Sequence, residues 1–274
     1  MTAPTNQHYD QDPDLFAYFL DETKKYSSAL YQNGHETLDE AQQYKLRFIA
    51  TELNAEPGKR FIDIGCGWGS LTLFLADMGC HVVGVTPADH QADYIEQLAE
   101  KRGLSSKVTI RRGQFEDLEF EKSSFDGASY VGSLVHFPDK ARALARTHEL
   151  IRLRGRVYFS ESCFRSQTVF DEFSKRETNR FVLEDIFGAG ALDPLSLYVR
   201  AFEEAGFSLI AMRDLTADYF KTIEAWGHQL QSNRDTLEAR WPGIVERYQR
   251  YFDVANAGWG FTTKHYALTA ARQR

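Results

Sequence analysis

A carboxylate, three alternating glycines and a helical run follow one another without a gap: Asp63-Ile64-Gly65-Cys66-Gly67-Trp68-Gly69-Ser70, then Leu71 to Met78. The apolar run Arg60 to Ile64 reads as a buried strand, so the order is strand, glycine turn, helix. Glycines at 65, 67 and 69 allow positive φ and close backbone approach to a ligand, and the following helix points its first N–H groups at whatever sits there. A dinucleotide fingerprint requires G-x-G-x-x-G, and Ser70 stands where its last glycine belongs. A carboxylate at the strand end suits a ligand with a cationic amino-acid moiety better than a polyanion.

The elements that must position these groups alternate in type. Strands are expected at 60–64, 81–85, 108–112, 127–131, 156–160, 207–215 and 265–269, with helical periodicity over 71–78, 139–151 and 195–205 between them. This α/β rhythm predicts a sheet whose ligand sits over the carboxyl ends of its strands. Two helical regions precede the first strand, 14–20 and 38–53, the second opened by Thr37 as a cap. A helical pattern from Phe170 to Phe187 interrupts the rhythm, and 219–261 reads as a helical cap rich in aromatic residues. Arg142, Arg146 and Arg152 are expected on a solvated face, and Asp89 and Asp93 in the first turn of a helix, complementing its dipole.

The glycine turn with Asp63 resembles motif I of the class I S-adenosylmethionine (SAM) methyltransferases. That resemblance implies a Rossmann-like seven-stranded sheet with helical caps. More of the chain resembles the cyclopropane fatty acid synthase and mycolic acid methyltransferase family: His8-Tyr9-Asp10 with Phe16, Leu20-Asp21 and Tyr26-Ser27; Thr86 with Gln91; and Arg247-Tyr248-x-x-Tyr251 through Gly258. Carried over, the resemblance implies SAM as cofactor. Asp63, Gly65, Cys66, Gly67 and Gly69 would surround its methionine end, Thr86 and Gln91 its ribose side, and Tyr26 and Ser27 its upper face. Gln114 and Phe115 look like the adenine contact of ubiquinone and menaquinone C-methyltransferases, the alternative being a surface loop with Phe115 in the core. The implied organisation is an N-terminal helical cap at 1–55, a SAM-binding core at 56–161, a lid insertion at 162–194, and the end of the core with a C-terminal cap at 195–274. In the lid, Phe170, Phe173, Phe181 and Phe187 either line an apolar tunnel or belong to the core.

Departures from that family carry information. Its G-x-x-E-H pattern supplies a Glu that helps hold a bicarbonate ion, the base for the proton leaving the alkylated carbon; here Val135 precedes His136. Two further ligands match Ser28 and Ser160, and the matching Tyr is kept as Tyr219. Glu161, at the end of the fifth strand, is either an acceptor-site base or a loop acid. A sulfonium is already a strong electrophile, so methyl transfer mainly needs a nucleophile held in line. The expected reaction is therefore methylation of a small, largely apolar metabolite at carbon or nitrogen, with His136 and Tyr219 handling the acceptor. The alternatives are alkylation of an unsaturated acyl chain, and a SAM-binding scaffold or cyclase that transfers no methyl group.

Composition sets the outer limits. The net charge of −7 argues against a general nucleic-acid binder, and 43% hydrophobic with 26% charged residues reads as a globular protein. The first residues, Met1 to Asp14, lack an apolar signal core, and nothing approaches 18 uninterrupted apolar residues, so a cytoplasmic location is expected with no integral membrane association. Cys66, Cys80 and Cys163 match neither a disulfide framework nor a metal-ligand spacing and are expected as free thiols.

Overall fold

The structure is a computed structural model and describes residues 12–181 and 192–273. Seven strands form one sheet in the order β3-β2-β1-β4-β5-β7-β6, where β1 is Arg60–Ile64, β2 His81–Thr86, β3 Val108–Arg112, β4 Phe125–Val131, β5 Ile151–Phe164, β6 Phe207–Asp214 and β7 Thr263–Arg272. The first five are parallel neighbours and β7 inserts antiparallel between β5 and β6. In the centre, Ile62 lies opposite Val83 on one side and Ala128 on the other. Such strands are covered on both faces, which is why β1 and β4 read as nearly continuous apolar runs.

Helices close both faces. Leu38–Glu52, Ser70–Asp77 and Asp89–Lys101 bring Ile49, Leu71, Leu75 and Ile95 into one core with Val82. Lys140–Leu150 and Leu195–Glu204 bring Leu144, Tyr198 and Phe202 against Ile62, Tyr130 and Phe159 on the other face. A third core joins the N-terminal segment to the helical region 216–258. Phe19 packs on Tyr248 with ring centroids 5.1 Å apart, and Tyr26 on Trp226, also at 5.1 Å. Backbone donors complete the seam: Ala29 N–H to Thr222 Oγ1 at 2.9 Å and Tyr31 N–H to Asp218 Oδ1 at 2.8 Å.

Boundaries moved where side chains compete with the helix. Only Pro13–Phe16 is helical in the 14–20 region. Just beyond it Asp21 captures the Thr23 and Lys25 N–H groups, a local alternative to helical pairing. Thr37 caps as expected, in a reciprocal box with Glu40. The expected 219–261 cap is three helices, Thr216–Ser232, Arg234–Arg240 and Ile244–Gly258, the last entered through Gly243 at φ +81°. β5 runs well beyond 156–160 because β7 pairs with it from Arg156 to Phe164. In the lid region the helices are Gln167–Phe173 and Glu177–Arg180; His8-Tyr9-Asp10 and Phe187 lie outside the described residues.

Candidate functional site

Two adjoining cavities open over the carboxyl ends of β1, β2, β4 and β5. The first, about 120 Å³, is floored by the glycine turn. That turn is pinned from below: the Gly65 and Cys66 N–H groups both donate to Val85 O, at 2.9 and 3.0 Å, and Ser133 Oγ donates to Ile64 O at 2.6 Å. Asp63 is buried and accepts from Thr72 Oγ1 at 2.9 Å and from Ser129 Oγ at 2.7 Å, so its carboxylate braces the turn from beneath the cavity wall.

The three glycines play different parts. At Gly65 (φ +73°) a Cβ would stand 2.4 Å from Ser133 Cβ, and at Gly69 (φ +79°) 2.6 Å from Ile95 Cγ1, so both are required by packing. At Gly67 (φ +56°) a Cβ would meet nothing within 4 Å, and this residue lines the cavity: it is the cradle. Thr86 and Gln91 also line it, locked together by Thr86 Oγ1 donating to Gln91 Oε1 at 2.8 Å. Gln114 and Phe115 form the next wall. Phe115 is buried, facing the cavity and also packing on Phe120 and Phe137. Arg146, expected in solvent, instead donates to Glu116 O at 2.6 Å and lies 5.0 Å over the Phe115 ring. Asp89 and Asp93 pair with Arg112 at the surface and are absent from the wall. The Cys66 thiol is pushed up by burial and stays protonated.

Tyr26 closes the first cavity from above and lines the second as well; Ser27 lines only the second. Their hinge is held by two side chains that sequence reasoning passed over, Gln42 and Lys45, polar residues on the buried face of Leu38–Glu52. Gln42 Nε2 donates to Ser27 O at 2.9 Å, and Lys45 Nζ donates to Ser27 Oγ at 2.8 Å and to Ser28 O. Lys25, buried beside the first cavity, is a third missed residue: burial lowers its pKa, while Asp63 and Asp21 act in the opposite sense. A cradle under a helix start, a buried ammonium and an aromatic face are a donor set that fits a ligand combining an amino acid with an aromatic base, and so fits SAM.

The second cavity, about 360 Å³, shares Tyr26, Gly132 and His136 with the first. Its apolar wall includes Phe164, Phe173, Val254, Trp259 and Phe261. Of the lid aromatics, Phe173 lines it, whereas Phe170 packs on Phe164 at 5.5 Å and Phe181 sits in the cap core. Tyr219 also faces this space, its ring 4.9 Å from Trp259 and 4.7 Å from His265. The Tyr251 hydroxyl is hydrogen-bonded to that of Tyr219.

His265 is a further residue missed in the sequence, where it read only as the start of the last strand. It bridges Ser160 Oγ at Nε2 (2.9 Å) and Ser162 Oγ at Nδ1 (3.1 Å), and burial pushes its pKa down to about 3, so the ring is neutral. Ser160 is therefore occupied, and Ser28 Oγ donates to the Ala29 carbonyl at 2.8 Å; neither lines the cavity. Glu161 does line it. Its carboxylate accepts from the Val135 N–H at 3.1 Å and the Ser162 N–H at 3.2 Å, and burial pushes its pKa up to about 7.

The family model for mycolic acid cyclopropane synthetase matches residues 2–268. Cyclopropane mycolic acid synthase 1 of Mycobacterium tuberculosis (strain ATCC 25618 / H37Rv) is 29% identical over 262 residues, covering 91% of this chain and 89% of that protein. Cyclopropane mycolic acid synthase 3 of the same strain is 28% identical over 256 residues, covering 89% and 88%. The crystal structure of mycolic acid cyclopropane synthase CmaA1 complexed with SAH and CTAB superposes with a TM-score of 0.89 at 24% identity, covering 98% of this chain and 97% of that one. The seven-stranded sheet is thus the class I methyltransferase fold, and S-adenosyl-L-methionine is the cofactor. The chain belongs to the mycolic acid cyclopropane synthetase family and is a SAM-dependent enzyme of the methyltransferase class.

Proposed function

We propose that this enzyme alkylates an unsaturated acyl chain at carbon. The observation that carries this reading is the second cavity: about 360 Å³, walled by aromatic and aliphatic side chains, and meeting the first at Tyr26, Gly132 and His136. A chain bound there is excluded from water and can present one carbon to the junction, and orientation of this kind supplies much of the acceleration in methyl transfer. When bound, the cofactor supplies an electrophilic methyl group. In this reading Gly65, Cys66 and Gly67 shape the site of its methionine end, with Asp63 and Gly69 holding their turn in place. Thr86 and Gln91 border the ribose side, Gln114 and Phe115 the adenine, and Tyr26 and Ser27 the junction. His136 and Tyr219 face the acceptor. The curated relatives are cyclopropane mycolic acid synthases, which supports a lipid chain over other apolar acceptors.

A second reading, methylation of a small apolar metabolite at carbon or nitrogen, is favoured by Val135, Ser28 and Ser160, none of which offers the cavity a polar side chain like those the family resemblance implies. The two separate on substrate. With purified protein and SAM, phospholipids carrying cis-monounsaturated chains should release SAH, whereas saturated phospholipids with the same headgroup should not. Equal release from both would end the acyl-chain reading.

A further inference from the structure

Glu161 is a carboxylate with no ion-pair partner among the described residues, set in a largely apolar cavity at the carboxyl end of β5. It is 4% exposed, and burying a charge in such a place is costly unless its lone pairs are matched. Three backbone N–H groups do part of this, those of Val135, Ser162 and Leu134. A carboxylate offers about four lone-pair sites, so one remains for the cavity. Two of the three donors belong to the 3-10 turn Leu134–His136, which also carries His136 to the junction with the first cavity. The carboxylate is therefore anchored on the very backbone that borders the reacting end of the acceptor.

We propose that Glu161 is the base that removes the proton released when the acceptor is alkylated. The assignment rests on the acyl-chain reading above. The alkene π pair forms the new carbon–carbon bond to the methyl carbon while the sulfur–carbon bond breaks and its pair stays on sulfur, leaving positive charge on the neighbouring acceptor carbon. A C–H bond then breaks and its proton passes to a Glu161 oxygen: on the chain carbon next to the cation its electron pair closes a double bond, and on the transferred methyl it closes a three-membered ring. Before proton transfer the same carboxylate lies close to the positive charge and stabilises it.

The groups around Glu161 fit this part. Lys140, the cation whose charge acts on it, is already paired with Asp193 Oδ2 at 2.8 Å and donates to the Phe137 carbonyl at 3.3 Å, so it does not neutralise the carboxylate outright. Cys163 and Tyr198, behind it, are both held protonated by burial. Across the cavity His265 is neutral, Tyr219 and Tyr251 are hydrogen-bonded to one another, Tyr26 and His136 stand at the junction, and Arg176 on the lid side is paired with Glu172 at 3.5 Å. Burial, partly offset by the three backbone donors and Lys140, brings Glu161 to a pKa of about 7, where a base accepts a proton readily yet is substantially ionised.

The test needs neither SAM nor turnover. Decyltrimethylammonium, an alkyl chain ending in a fixed positive charge, mimics the charged acceptor; 1-decanol is its uncharged counterpart. Binding of each below its aggregation limit is measured by calorimetry in bicarbonate-free buffer, for wild type, Glu161→Gln, Glu161→Asp and His136→Gln. For wild type the cation's affinity should rise about tenfold from pH 6 to pH 8, as the carboxylate ionises. That rise should vanish in Glu161→Gln and persist in Glu161→Asp and His136→Gln, with the affinity for 1-decanol independent of pH in each of the four proteins. If 1-decanol binds but the cation shows the same pH dependence in Glu161→Gln as in wild type, Glu161 is not the base and the acyl-chain reading survives. If neither amphiphile binds wild type, the acyl-chain reading and the base fall together.

Discussion

Replacing Gly65 and Gly67 separately by alanine should uncouple stability from cofactor binding, although the two positions are only two residues apart. At Gly65 the new methyl would stand 2.4 Å from Ser133 Cβ, and the backbone is at φ +73°. Left-handed backbone costs an L-residue about 1–2 kcal/mol. Forcing a methyl into a packed site costs about 1–3 kcal/mol more. Gly65→Ala should therefore lose roughly 2–5 kcal/mol of stability. At Gly67 only the backbone contribution applies, since nothing lies within 4 Å of the added Cβ, so its loss should stay near 1–2 kcal/mol. That methyl instead projects into the space proposed for the methionine end, and SAM affinity should fall at least about tenfold, or 1.4 kcal/mol. Urea unfolding without SAM gives the first pair of values and calorimetric SAM titration the second. A Gly67→Ala protein that binds SAM as tightly as wild type would refute the cradle. Equal destabilisation by both substitutions would refute the distinction drawn from Ser133.

Three further outcomes can be checked independently. Burial holds His265 neutral, with a pKa near 3 against an ordinary 6.5, so its contribution is present above pH 6.5 and is lost as pH falls toward 3. The difference corresponds to on the order of 5 kcal/mol, and urea unfolding across that range should show a clearly shallower loss in His265→Gln; an unchanged slope would assign the acid sensitivity elsewhere. Trp226→Ala removes a fully buried ring that packs on Tyr26, Tyr219 and Phe252, and should cost about 3–5 kcal/mol in chemical unfolding; a loss below about 1 kcal/mol would mean that the cap core is not cooperative with the sheet. Tyr219→Phe keeps the ring and removes the hydroxyl facing the acceptor cavity, so SAM binding by calorimetry should stay at the wild-type value while turnover slows about a hundredfold or more. Equal loss of binding and turnover would place Tyr219 on the cofactor side.

The sheet was legible because strand and helix periods alternate cleanly between Arg60 and Phe207, and the glycine turn because its spacing admits few other uses. Cap boundaries were less so. Asp21 ends a helical pattern by capturing backbone N–H groups, an interaction that periodicity does not register. Asp63 shows another limit: a carboxylate before a glycine turn reads as a ligand contact, and only the positions of Thr72 and Ser129 reveal that it braces the turn instead. Lys25, Lys45 and His265 escaped for a common reason. Their importance comes from burial against residues far off in sequence, as when His265 reaches Ser160 and Ser162 across antiparallel strands. Gln42 and Lys45 did leave a trace, two polar residues on the apolar face of a predicted helix. Glu161 stood out only as a strand-end acid; Val135 beside it explains what the sequence left unpaired, since the backbone of Val135 holds the carboxylate that its side chain lacks.

The central claim is alkylation of an unsaturated acyl chain at carbon, and the most direct measurement follows the methyl hydrogens. Purified protein is incubated with trideuteromethyl-SAM and an extract of its source, and the lipid and aqueous fractions are compared by mass spectrometry. The account predicts label in fatty-acyl products, two deuterons where a cyclopropane closes and three where a methyl branch with a double bond forms. Label found only in a water-soluble product would contradict it in favour of a small-metabolite methyltransferase, and no transferred label at all would leave a SAM-binding scaffold.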